Sequence, residues 1–215
     1  MPILEILIMS VFVWLITCSL ALVLFRYNPI DYWRGILQVT GVMIFVTMTV
    51  QWSGLSYLVV FFQPIFGILF FKIFLKFKWI NSAVMFLFSY EICSNIEIIY
   101  VFVQTKYHLM DSINILKNIP KFSDALILLP LTAMLTLYLH VSKIGFSFVS
   151  RHRSIKVPAN IVVLAVAILG LLLLSFSLSL FVSHSYFYVS TRAIAMVFLL
   201  YFLYFSYRKE MNDEF

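Results

Sequence analysis

The chain has 215 residues, of which 63% are hydrophobic and only 11% charged, with a formal net charge of +6. A soluble domain carries about 25% charged residues and needs a polar exterior, which this composition does not supply; disorder is excluded by the same figures, because low hydrophobicity is its mark. The basic residues stand in short clusters between apolar runs, so the excess charge reads as membrane orientation and contact with anionic membrane lipid, and no nucleic-acid partner is expected.

A membrane-crossing helix needs about 20 mostly apolar residues. Seven runs qualify, which predicts an all-α, polytopic membrane helix bundle of about seven transmembrane helices. The first runs from about Ile3 to Phe25. Its start, Met1-Pro2-Ile3-Leu4-Glu5, is acidic where a secretory signal is basic, so a retained helix is expected. The second runs from about Gly35 to Gln51. The third, Gly54 to Phe71, follows a tight Trp52-Ser53-Gly54 turn. It contains Pro64, a kink that membrane helices tolerate, and Gln63 stands where it can bond a carbonyl freed by that proline. The fourth runs from Trp79 to Val103. In the connection 104–123 that follows, Leu109, Ile113 and Leu116 recur at helical spacing. That spacing suits either a short amphipathic helix on the membrane surface or a plain connector. The fifth run spans Asp124 to Val149 with Pro130 inside. The sixth runs from Pro158, a proline in the first turn, to Val182, and the seventh from Phe187 to Tyr207. Residues 1–208 are thus expected to form one transmembrane domain, and 209–215 a short cytoplasmic tail.

Lysine and arginine set the orientation. Arg26, Arg34, Lys72, Lys76, Lys78, Lys143, Arg151, Arg153, Lys156, Arg208 and Lys209 fall on one side, eleven in all. Lys106, Lys117 and Lys121 fall on the other, and Arg192 lies within the seventh run. This predicts the N-terminus outside, the C-terminus cytoplasmic, and a multi-pass protein of a bacterial plasma membrane.

Enzyme motifs are missing from the sequence: no GxSxG, no phosphate-cradling glycine loop, no HExxH and no paired cysteine ligands. Cys18 and Cys93 both lie in apolar runs and read as free buried thiols. His108, His140, His152 and His184 belong to different segments, and His140 reads as deep in its helix without a chemical role. No catalysis, metal or cofactor is expected. What remains are ionisable and amide groups at membrane depth, which are costly there and therefore functional candidates. The fourth run carries Glu91, Ser94, Asn95, Glu97 and Gln104. At about 100° per residue Glu97 and Gln104 fall nearly on one line, with Ser94 between Glu91 and Glu97 in angle. Such a stripe must face other helices or a wet cavity. Arg192 lies about 7–8 Å inside the outer end of its run, and Glu97 about 9 Å inside its own. Their depths match, and an ion pair near the outer mouth is expected unless each snorkels to water separately. For Glu91, near mid-membrane, two readings stand open: a group lining a ligand cavity or proton path, or one hydrogen-bonded to a neighbouring helix for structure. Glu91, Asn95, Glu97, Gln104 and Arg192 are the candidate ligand-binding residues.

At the third-to-fourth junction the sequence reads Leu75-Lys76-Phe77-Lys78-Trp79, followed by a long aliphatic helix with Ser89-Tyr90 and Cys93. This resembles the membrane sensor domain of the accessory gene regulator (AgrC-type) peptide-sensing histidine kinases, in which a Lys-x-Lys-Trp turn opens a similar helix. The helix count is similar too, as is a final helix leading into a basic segment, here Tyr207-Arg208-Lys209-Glu210-Met211. The resemblance covers the whole chain as architecture and about thirty residues as sequence. It implies a quorum-sensing-type receptor for a secreted, often macrocyclic peptide that is read by the outer loops and outer helix ends. The departure is that only eight residues follow the seventh run, and no phosphoacceptor histidine or nucleotide site is expected in them. The expectation is a sensor module without a catalytic domain. It would act with a separate histidine kinase, serve as a decoy, or be a receptor domain cut at its boundary, as a homodimer or hetero-oligomer. Two further readings stand beside it: a transport component, such as the substrate-binding membrane subunit of a vitamin importer, and an immunity or accessory membrane protein.

Overall fold

The structure is a computed structural model that describes residues 3–52, 59–108, 111–112 and 122–146. Within them five α-helices and one 3-10 turn follow one another, with no strand. The helices are α1 (Ile3–Val23), α2 (Trp33–Trp52), α3 (Val59–Leu75), α4 (Trp79–Gln104) and α5 (Phe122–Ser142). By length and composition α1, α2, α4 and α5 can each cross a membrane, and α3 supplies a shorter apolar helix. The sixth and seventh predicted spans, Arg192, the tail at 209–215 and most of the 104–123 connection lie outside the described residues.

The ends of α1, α2 and α4 fall within two residues of the predicted bounds. Two other ends differ. The third helix does not stop at Phe71 but runs on to Leu75. Lys72 stays helical, because its stem covers apolar surface while Nζ sits 3.9 Å from the centroid of the Trp79 ring, and a lysine in a last turn suits the helix dipole. The fifth helix ends at Ser142, not Val149. Lys143 adopts a left-handed φ of 53°, and the chain then crosses onto the end of α1, where the Phe146 N–H donates to the Leu24 carbonyl at 2.7 Å. Gly145 makes that crossing possible, since a Cβ there would stand 2.7 Å from the Leu24 carbonyl oxygen. His140 therefore falls in the last turn of the helix, and its side chain is exposed. Of the expected Trp52-Ser53-Gly54 turn, Trp52 is still helical and the rest lies outside the described residues.

The helices alternate in direction. Phe25 meets Phe88 edge-on at 6.3 Å, and Tyr27 meets Phe77 at 5.1 Å. A Cβ on Gly35 would touch the Leu75 side chain. The close of α1, the start of α2, the close of α3 and the start of α4 thus share one end of the bundle, with the close of α5 against α1. Arg26, Arg34, Lys72, Lys76, Lys78 and Lys143 all lie at this basic end. Across the bundle α1 packs on α2, α4 and α5, while α3 packs on α2 and α4. The core is concentrated toward the basic end, where Leu20 to Phe25 and Asn81 to Ser89 are buried without a break. Phe86 is its centre. Its ring stacks on Trp14 at 6.1 Å and on Tyr90 at 6.2 Å, and meets Phe71 edge-on at 5.3 Å. Toward the far end α4 loosens: every residue from Ile92 to Ile98 is half-buried.

Candidate functional site

At about 1.5 Å per residue, the 26 residues of α4 extend about 39 Å, longer than the roughly 30 Å hydrocarbon layer. Its last turns can therefore carry polar groups into an interface. Glu91, only 2% exposed, begins the polar stretch. One turn on, the Asn95 amide donates to the Glu91 main-chain carbonyl at 2.8 Å and to its carboxyl oxygen at 3.4 Å. Asn95 thus satisfies a carbonyl of its own helix and touches the carboxyl at the same time. Glu97 is half-buried and Gln104 exposed.

Gln104 does not end in open space. Its Nε2 donates to Asp124 Oδ1 at 3.4 Å, and the Tyr100 hydroxyl donates to the same oxygen at 3.4 Å. Tyr100 and Gln104 are four residues apart and so share a face. Asp124 stands in the first turn of α5, where the unsatisfied N–H groups favour a carboxylate, and it is buried. Just beyond α4, the Thr105 and Ser112 hydroxyls lie 2.6 Å apart, and Ser112 donates to the His108 carbonyl at 2.8 Å. Four of the five predicted site residues therefore lie along one helix, with Gln104 joined to α5; Arg192 lies outside the described residues. In the sequence Asp124 marks only the start of a span, and Tyr100 is not among the candidate residues. The repeat of polar groups at 97, 100 and 104 was the signal for it.

A second polar group crosses the middle of the bundle. The Thr47 hydroxyl donates to the Met43 carbonyl at 2.8 Å and accepts from Trp14 Nε1 at 3.2 Å and Gln63 Nε2 at 3.1 Å. The other end of the Gln63 amide accepts from the Tyr90 hydroxyl at 3.2 Å. Four helices are tied by this chain. Gln63 thus reaches sideways to α2 and α4, in place of the expected bond to a carbonyl freed by Pro64. Apolar surroundings leave a polar side chain no partner but another helix, and such bonds contribute about 0.6 kcal/mol each on average in membrane bundles.

Among the described residues no group of three His, Cys, Asp or Glu is placed to hold a metal ion. Cys18 is buried and Cys93 half-buried, both as free thiols, and the Thr17 hydroxyl lies 3.7 Å from the Cys93 sulfur. The far end of α4 can present donors, acceptors and carboxyls to a polar ligand, with a tight aromatic core beneath it. No family model, no curated protein and no solved structure matches the chain, so its function has to be argued from these groups.

Proposed function

We propose that the chain is a membrane-embedded receptor module for a secreted peptide, with about seven spans, its N-terminus outside and its basic end in the cytoplasm. The observation that carries this reading is the change along α4. The helix is sealed from Asn81 to Ser89, then half-open and polar from Ile92 onward. Asn95, Glu97 and Gln104 stand on that half-open stretch, and Glu91 is buried at its inner edge. The Tyr100–Asp124 and Gln104–Asp124 bonds, both 3.4 Å, are long for hydrogen bonds and correspondingly weak. A peptide amide or carbonyl that takes their place at better geometry favours one arrangement of α4 and α5 over another, which is the differential affinity that signalling requires. In this reading Glu97 and Arg192, expected from their matching depths to pair, supply the fixed charges of the mouth. Motion of α5 is handed to the basic end through the Phe146–Leu24 contact, and from there to a separate histidine kinase.

Native pull-down in mild detergent, with mass spectrometry of the recovered proteins and small molecules, is the direct test. Recovery of a histidine kinase or a processed peptide supports the receptor; recovery of ATPase subunits or a vitamin instead sinks it. With a peptide in hand, Asp124→Asn and Gln104→Ala weaken its binding about fivefold to tenfold, as expected for the loss of one neutral or charge-assisted hydrogen bond. The charge swap of Glu97 and Arg192 restores binding lost in either single variant.

A further inference from the structure

At the basic end, between the close of α1, the start of α2 and the close of α3, lies a cavity of about 730 Å³. Ligand cavities run from about 300 to 1,000 Å³. Arg26, Arg34 and Lys76 line it against a single carboxylate, Asp31. Arg26 and Lys76 hold left-handed backbones, with φ of 57° and 60°. Both stand where glycine would be unstrained, so each of these helix ends bears a cation at a conformational cost. The Arg34 guanidinium sits 5.5 Å from the centroid of the Trp33 ring, another lining residue.

The cavity opens onto an unusual surface. Phe74, which also lines it, is the last rung of a ladder of phenyl rings along α3. Phe62, Phe66, Phe70 and Phe74 follow at successive centroid distances of 6.1, 6.0 and 5.9 Å. All four residues are half-buried, so the ladder keeps part of its surface accessible. From Phe62 to Phe74 the ladder climbs about 18 Å, close to the roughly 15 Å of one leaflet's hydrocarbon. We infer that this cavity binds the phosphate of an anionic phospholipid, whose acyl chain lies along the phenylalanine ladder. A free phosphate would use the cations and leave the ladder idle; a zwitterionic lipid would use the ladder and gain little from the cations. The inference rests on the membrane setting and not on the receptor reading.

The test is native mass spectrometry of the full chain in detergent titrated with phosphatidylglycerol or phosphatidylcholine. The unmodified protein keeps phosphatidylglycerol in preference by about tenfold or more, on the strength of two or three nearby cations. Arg34→Gln with Lys76→Gln abolishes most of that preference. Lys78→Gln with Lys143→Gln removes the same charge from the same end outside the cavity, and leaves the preference in place. Equal losses in the two pairs would mean a diffuse field and overturn the site, as would the absence of any preference. Release of the bound lipid by millimolar inorganic phosphate would assign the cavity to free phosphate and overturn the lipid. Should the cavity variant fail to fold, phosphatidylglycerol with a photoactivatable chain is applied to the unmodified protein. Cross-links within residues 62–76 are expected, and cross-links confined elsewhere refute the inference.

Discussion

A threonine hydroxyl has one proton to give and two lone pairs to fill, and Thr47 uses all three, on Met43, Trp14 and Gln63. Thr47→Val keeps the shape but leaves the Trp14 N–H and one end of the Gln63 amide without their acceptor. A loss of about 1–3 kcal/mol is expected, read as a lower midpoint in reversible unfolding in detergent, and Thr47→Ser recovers most of it. An unchanged midpoint for the valine variant would show that the two donors find other partners. This group was only half legible in the sequence. Gln63 is conspicuous in an apolar run, and Trp14, at the middle of a span rather than at an interface, needs an acceptor for its N–H. Which acceptor it finds depends on how α2 is rotated, and no local pattern records that. Helix ends show the opposite sign of strain. Lys106 closes α4 at a φ of 53°, with its N–H on Val103 and that of Tyr107 on Phe102. Lys106→Gly removes left-handed strain worth about 1 kcal/mol and raises the unfolding midpoint. If the midpoint falls instead, the lysine charge on the helix dipole outweighs the strain.

Elements meet through particular small residues. Gly67 of α3 faces the Phe86 ring of α4, and any Cβ at that position would overlap the ring. Close approach over glycine is how membrane helices gain van der Waals contact where no hydrophobic drive is present. Gly67→Ala is therefore expected to destabilise by about 1–3 kcal/mol through overpacking, and Phe86→Leu in the same chain to return part of the loss. Non-additivity in that double-mutant cycle is the measurement, and strict additivity would put the two helices further apart. The same scale shows where sequence reading stops. Starts and ends of α1, α2 and α4 followed from apolar length alone, because water and lipid set them. The end of α5 did not, because the Phe146 N–H is held by the carbonyl of Leu24, over which Gly145 passes closely, more than a hundred positions earlier in the chain. In the site, residues 91, 95, 97 and 104 were legible as polar groups out of place. Asp124 was not, because a carboxylate at a helix start needs no further explanation until its neighbour is known.

Taken together, the described helices form a bundle that is tight toward one end and looser along α4 toward the other. The two native thiols report on this without any substitution. Cys18 is wholly enclosed, while Cys93 stands on the half-buried part of α4. A small permeant thiol reagent should modify Cys93 first and reach Cys18 only on unfolding. Equal rates would show that the core breathes as freely as the mouth. The central position of α1 has a further consequence, in biogenesis. Ribosomes make α1 before the three helices packed on it, at roughly 5–20 residues per second. The partners of its side chains arrive late: Thr47 for Trp14, Cys93 for Thr17, and Phe146 for the Leu24 carbonyl. For about 6 to 24 seconds after Leu24 is made, at that rate, the helix that organises the bundle must be held with its polar groups provisionally satisfied. Assembly of this protein is therefore most vulnerable to premature degradation and to insertion partners at its earliest helix.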